Sequence, residues 1–294
     1  MDIWLIVLSS GLLVGGIYAF VAVGLNLVFG VIRVANFAHG EFVMLGMFAA
    51  YLAYELFNLD PYVSAWLLVA PASFLLGVIV YYLVISRLLD DHFMQMFATF
   101  GLILVIQNIV LWLTRGEPHT VFNWASTASF RFAGIDWSLA RVILLVVALV
   151  ISGLLMLFLR TSIMGISMRA VAQDMSTSSL IGINVKRVFL VTFALSTMLA
   201  GIAGALLTPS YAATPSIGFG FVLPAFAVVV LGGMGSIPGS VIGGLAVGLI
   251  EASAGYLLSP QLKQAVWFTI FLSILVIRPN GLFGRATADT MEAR

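Results

Sequence analysis

The chain is 294 residues long, 62% hydrophobic and 9% charged, with a formal net charge of +1 and a mean hydropathy of +1.15. Soluble domains run close to a quarter charged, so this chain has too little polar surface to cover a water-soluble globule. The absence of cysteine excludes disulfides, thiolate metal sites and cysteine nucleophiles, and basic residues scattered without a stripe exclude a nucleic-acid surface.

A bilayer core takes about 20 apolar residues per helix. In chain order, membrane spans are predicted near 5–32, 41–57, 62–86, 94–114, 138–159, 187–207, 219–233, 237–258 and 264–277. This describes an all-α polytopic membrane protein, one domain over 1–294, with nine crossings favoured in a range of eight to ten. The first run follows Asp2 with no basic residue before it, so it is expected to stay as a helix and not be cleaved. It carries Gly11, Gly15, Gly16, Gly24 and Gly30 and is longer than one crossing needs, which predicts tilt or a break.

Next comes "GVIRVANFAHGEFVMLG", which places Arg33, Asn36, His39 and Glu41 within nine residues. Ionisable groups at membrane depth are usually functional, but at about 1.5 Å per residue these groups stay within snorkelling range of Arg33. The expectation is an interfacial turn or helix-fixing hydrogen bonds. "HGE" lacks the second imidazole one turn away that an H-E-x-x-H zinc site needs. Asn26 in the first span and Gln107 and Asn108 in the fourth are read as polar groups joining helices or lining a path.

Residues 160–187 form the longest polar stretch between spans. Short connections need only a few residues, so a structured element is expected. Ile166, Ala170, Val171 and Met175 recur at helical spacing, with Arg169, Gln173 and Asp174 on the polar side and Gly182 as a stop. A membrane-surface helix would carry more Lys and Arg, which leaves an elbow or a docking element.

In the last third, Pro224 interrupts the fifteen-residue run 219–233, for which a re-entrant segment is the alternative to a span. Gly235, Gly239, Gly243, Gly244 and Gly248 form a small-residue ridge expected to pack helices within the subunit, with a subunit interface as the alternative. Glu251 lies about 21 Å along its helix from Ile237. It is read as cavity-facing or interface-paired, not as a proton relay. The positive-inside bias puts Arg33, Arg87, Arg160, Arg169, Lys186, Arg187, Arg278, Arg285 and Arg294 in the cytoplasm, against Arg115, Arg131, Arg141 and Lys263 outside. The N-terminus is therefore expected outside and the C-terminus inside.

Four blocks in order, "GLNLVFGVIRVANFAHGEFVMLGMFAAY", "MRAVAQDMSTSSLIGINVKRVFLVTFALSTMLAGIAGALL", "VVLGGMGSIPGSVIGGLAVGLIEA" and "VIRPNGLFG", closely resemble the permease subunits of branched-chain amino acid ABC importers. The shorter of the two paired permeases is the nearer likeness, and it covers about Gly11 to Gly284. The resemblance implies a fold related to type II importer permeases, including those for ribose and vitamin B12. It also implies a bacterial inner-membrane pore paired with a second permease subunit, driven by two cytoplasmic ATP-binding subunits and fed by a periplasmic substrate-binding protein. Neither a cofactor nor an enzymatic role is implied. Carried over to this chain, the ATPase-coupling element is Arg169, Ala170, Gln173, Asp174, Gly182 and Ile183. Asn26, Asn36, His39, Glu41, Gln107 and Glu251 are the candidates for the translocation path or for helix-fixing contacts. Relatives also move urea, short amides and aromatic acids, so the implied substrate is a branched-chain amino acid or a similar small solute. The chain has no G-x-x-x-x-G-K-[ST] phosphate loop, so energy from ATP has to arrive through a contact. An ion-coupled secondary transporter is the alternative. It would normally show matching halves with ionisable groups near the midplane, and no such halves are evident.

Overall fold

The computed structural model describes residues 3–89, 91–132, 134–277 and 281. Its helices are α1 (Ile3–Ile32), α2 (His39–Phe57), α3 (Pro61–Ser64), α4 (Ala70–Leu83), α5 (His92–Thr114), α6 (Leu139–Thr161), α7 (Ile163–Gln173), α8 (Met175–Leu180), α9 (Val185–Leu207), α10 (Ile217–Gly232), α11 (Ile237–Leu257) and α12 (Lys263–Ile277). Between α3 and α4 the chain widens into a π turn, Ala65–Val69. Pro71 follows in the first turn of α4 and cannot donate a backbone hydrogen bond. Among the described residues, seven helices are long and apolar enough to cross a membrane, counting Pro61–Arg87 as one, and α10 and α12 are shorter apolar helices. Together they occupy the nine predicted positions.

The first helix is one unbroken run of 30 residues, so the predicted break is absent. It is apolar all round because it is buried at the centre of the bundle. Its main partner is α11, which runs antiparallel to it at backbone distance. A Cβ on Gly11 would lie 2.8 Å from Leu249 Cα, one on Gly15 2.7 Å from Leu245 Cα, and one on Gly30 2.6 Å from Gly235 Cα. From the other side, Gly244 meets Ala19, and Gly248 meets Gly11 and Gly15. Gly239 and Gly243 face Gly232 of α10. The small-residue ridge is therefore internal packing, as expected. In lipid, where apolar surface is not driven out of water, such close approach gains van der Waals contact.

Helix α9 is the second centre. Gly201 and Gly204 meet Gly46 and Val43 of α2, and Gly77 of α4 meets Ala194 and Thr197. Phe20, Phe42, Met44, Met47 and Phe193 fill the core between them.

The antiparallel pairing defines two faces of the bundle. α1 ends at Ile32 on the face carrying Arg33, next to the turn at Gly235. α11 climbs to the opposite face, where Glu251 meets Lys263, and α12 returns so that Gly281 packs on Gly233. Ile3 and Gly281 thus lie on opposite faces, as an odd number of crossings requires. Arg278, Arg285 and Arg294, used in the charge argument, lie outside the described residues. On the Lys263 face, the 115–138 connection folds an antiparallel hairpin, β1 (Ser129–Phe132) with β2 (Ile135–Ser138), an element the sequence reading left as loop.

Replacing Gly248 by Leu should force α11 off α1. Overpacking costs about 1–3 kcal/mol, measured as a lower Tm of the detergent-solubilised protein. Gly101→Leu, where nothing lies within 4 Å of an added Cβ, should leave Tm unchanged.

Candidate functional site

Two regions gather the polar residues. The first lies inside the bundle and begins with Asn26. Its Nδ2 is within donating distance of Gly233 O (3.2 Å), Ser236 O (2.9 Å) and Ser240 Oγ (2.6 Å), and its Oδ1 accepts from the Gly235 N–H at 2.6 Å. The turn joining α10 to α11 has Gly233 and Gly235 at positive φ, outside any helix and in need of partners. One buried amide supplies them.

The segment 33–38 leaves α1 at the Arg33 face and turns back into the bundle. Arg33 is exposed at φ 61°, whereas Asn36, His39 and Glu41 are 1%, 0% and 1% exposed. His39 Nε2 lies 3.1 Å from Val21 O, about 16 Å up α1 from its end at 1.5 Å per residue. The interfacial-turn expectation therefore fails for all but Arg33. An extended chain rises about 3.3 Å per residue, so the six-residue segment is long enough to carry His39 well below the surface. There the imidazole links the start of α2 to α1.

Glu41 sits in the first turn of α2. Its Oε1 accepts from Gln107 Nε2 at 2.9 Å, and a Cβ on Gly218 would lie 3.0 Å from that same oxygen. Gly40 and Gly218 touch backbone to backbone. Gly218 is the second residue of α10, which runs from there to the Arg33 face, while α2 runs the other way. Two helices thus begin at mid-depth, with their N-terminal turns meeting at one carboxylate. The partial positive charge of each N-terminus favours an anion there. Phe37 stacks between Phe100 of α5 and Phe226 of α10, at centroid distances of 4.5 and 4.7 Å.

Glu251 is paired. Tyr18 donates to Oε2 at 2.7 Å and Lys263 lies 3.0 Å from Oε1, so this carboxylate ties α1, α11 and α12 together. Among the described residues, Asn108 bonds only to Leu104 O of its own helix.

The second region is the elbow between α6 and α9. Ser162 caps α7 by accepting from the Gly165 N–H at 2.9 Å. Asp174 then breaks the expected single helix in two. Ser176 donates to it from hydroxyl and amide at 2.6 and 2.9 Å, Thr177 from its amide at 3.0 Å and also from its hydroxyl. These donors, the Ser176 hydroxyl foremost, hold the carboxyl well below its ordinary range. α7 buries Gly165, Met168 and Val171, while Ile166 of α7 and Met175, the first residue of α8, are exposed, so the apolar face predicted from those two is shifted. Arg169, Gln173, Asp174 and Gly182 are exposed, and Ala170 and Ile183 half-buried. Arg33 reaches back to Ala172 O at 3.5 Å. The sequence reading missed Ile163, Leu180 and Ile181, which are 86%, 86% and 71% exposed. Three bare aliphatics in a polar segment were the available signal.

Against known proteins, residues 7–277 match the family described as branched-chain amino acid transport system / permease component. The chain is similar to the high-affinity branched-chain amino acid transport system permease protein LivH of Salmonella typhimurium, 35% identical with 95% of each chain covered. It is similar to BraD, of the same description, from Pseudomonas aeruginosa, at 32% with 96% of each covered. The ribose import permease protein RbsC of Haemophilus influenzae is 24% identical over 63% of this chain and 59% of its own. No solved structure matches the chain significantly.

Asn26→Ala should leave several backbone groups of the α10–α11 turn unpartnered. It should cost about 1–3 kcal/mol, read as a lower Tm. At the elbow, the depressed pKa of Asp174 means its cap is fully formed above the unfolded carboxylate value of about 3.9. The cap is lost only as pH falls through the lower folded value. Asp174→Ala should therefore lower the protection of the Ser176 and Thr177 amides from exchange, relative to their intrinsic rates, at neutral pH, a loss that the parent should show only in strong acid.

Proposed function

We propose, from the premise that this chain belongs to the permease components of branched-chain amino acid transport systems, that it is the pore subunit of an ATP-driven importer. It takes branched-chain amino acids, or similar small amino acids and amides, from periplasm to cytoplasm. Family membership favours this over the ion-coupled alternative.

The observation that carries the reading is the elbow. It stands outside the spans on the Arg33 face, is held to the bundle by Met168 and Val171, and presents Ile163, Leu180 and Ile181 beside Arg169 and Gln173. Exposed apolar side chains rimmed by polar ones mark a docking surface. With no phosphate loop in the chain, two partner ATP-binding subunits supply hydrolysis and push through α7 and α8. The remaining partners are a second permease subunit and a periplasmic substrate-binding protein. The Arg33 face is cytoplasmic by the positive-inside bias. The bacterial inner membrane is the location, with the N-terminus outside and the C-terminus inside.

Coexpression with its neighbouring genes should yield an assembly of two different permeases and two ATPases, and a transporting complex that lacks any ATPase would overturn the reading. Within the assembly, Arg169→Glu reverses a charge on the docking face. Gly182→Trp places bulk in open space at φ 89°, a backbone conformation that only glycine adopts easily. Both should reduce ATP hydrolysis stimulated by loaded binding protein at least tenfold. Arg169→Glu, an ordinary surface change, should cost within about 0.5 kcal/mol and leave Tm within a few degrees, whereas the backbone strain of Gly182→Trp should cost about 1–3 kcal/mol. Arg169→Glu is therefore the variant that separates coupling from stability. Parent-like hydrolysis and uptake in both variants would make the segment a plain elbow.

A further inference from the structure

The two buried carboxylates of the bundle are treated differently. Both oxygens of Glu251 are engaged, one by a cation. Glu41, equally withdrawn from solvent, has a neutral amide on Oε1 and no hydrogen-bond partner on Oε2 among the described residues. No described cation pairs with it. Buried charges are ordinarily paired, and an unpaired one at mid-membrane marks a functional group. What supports the anion is the pair of helix N-termini meeting at Gly40 and Gly218.

We infer that Glu41 Oε2 is the counter-charge for the primary ammonium group of an amino acid crossing the bundle. The site rests on the importer reading above and gives the substrate's amino group its contact. The ligand chemistry follows from the surroundings. A free carboxylate oxygen takes an ammonium, and the stacked rings of Phe100, Phe37 and Phe226 offer an apolar wall toward the Arg33 face for an aliphatic side chain. Phe100 precedes Gln107 by seven residues, about 10 Å along α5, so the rings lie on the Arg33 side of the carboxylate.

Access comes through α5. This helix packs on the bundle mainly against α2, through a narrow buried stripe of Gln95, Thr99, Ile103 and Val110, while most of its length is exposed. Few contacts oppose its displacement. When it moves, the Gln107 to Glu41 bond opens and the carboxylate faces the path. A carboxylate held by an uncharged amide gives up that partner far more readily than one held, like Glu251, in an ion pair.

The test uses the reconstituted importer with its binding protein, radiolabelled leucine and ATP. Glu41→Gln keeps shape and hydrogen bonding and removes the charge. Leucine uptake per ATP hydrolysed should fall at least tenfold with assembly and Tm retained, and Glu41→Asp should recover a large part of it. Because the chain has no cysteine, Glu41→Cys can be probed with a small cationic methanethiosulfonate reagent. Modification of this subunit should accelerate during turnover and be slowed by leucine, a readout that also serves if Glu41→Gln is unstable. Uptake within twofold of the parent in Glu41→Gln, or modification indifferent to both turnover and leucine, overturns the site. A parent complex that, with ATP and binding protein, accumulates neither leucine nor any other small amino acid or amide overturns the importer reading instead.

Discussion

Hydrocarbon offers no water to a peptide group, so any backbone that leaves a helix at membrane depth must find its partners within the protein. The bundle satisfies that requirement from α1. Asn26 holds the turn between α10 and α11 through both ends of its amide. Val21 O meets His39 where the 33–38 segment enters, and Gly24 O accepts from Ser196 of α9 at 2.7 Å. These contacts fall within two turns of one helix, between Val21 and Asn26. Glycines let the chains approach closely enough for these side chains to span the gap: Gly30 meets Gly235 beside the turn, and Gly24 faces His39 and Leu199 of α9. With wider spacing, an asparagine could not serve a whole turn.

That economy permits two helices to start in the middle of the bundle. A continuous helix would hide its N-terminal N–H groups at a membrane surface. Here α2 and α10 bring theirs to the Gly40 and Gly218 contact, where Glu41 meets them. The carboxylate and the two helix ends stabilise one another, which explains how an acidic residue persists where an isolated charge would be expelled. The glycines are required at this crossing by space, because a side chain on either would strike the other's backbone. The aromatic stack of Phe37 with Phe100 and Phe226 closes the same junction on one side.

Much of this architecture is written in the sequence because lipid imposes simple rules. Long apolar runs gave the crossings, and charge asymmetry agrees with the pairing of faces through Gly235 and Gly281. The four blocks gave the family. The depth of His39 and Glu41 was not legible, since linear distance from Arg33 says nothing about a chain that turns back into the bundle. Ser176 and Thr177 sit just where Asp174 needs donors, yet the split of α7 from α8 was missed. The apolar period ran on past a break that only capping chemistry explains. The β hairpin escaped for a related reason: its strands are four residues each, too short for alternation to stand out in an apolar chain.

The seam between α1 and α11 joins residues such as Gly11 and Leu249 that emerge from the ribosome far apart in time. At synthesis rates of roughly 5–20 residues per second, α1 waits on the order of 10–50 s for its main partner. Meanwhile its glycine face and Asn26 are open to whatever else lies in the membrane. This central seam of the mature bundle is thus among its last contacts to form, although α1 can already pack on α6, α9 and α10 as each of them emerges. Polypeptides that stop before α11 would carry that open groove permanently, presenting membrane quality control with a distinct and recognisable defect.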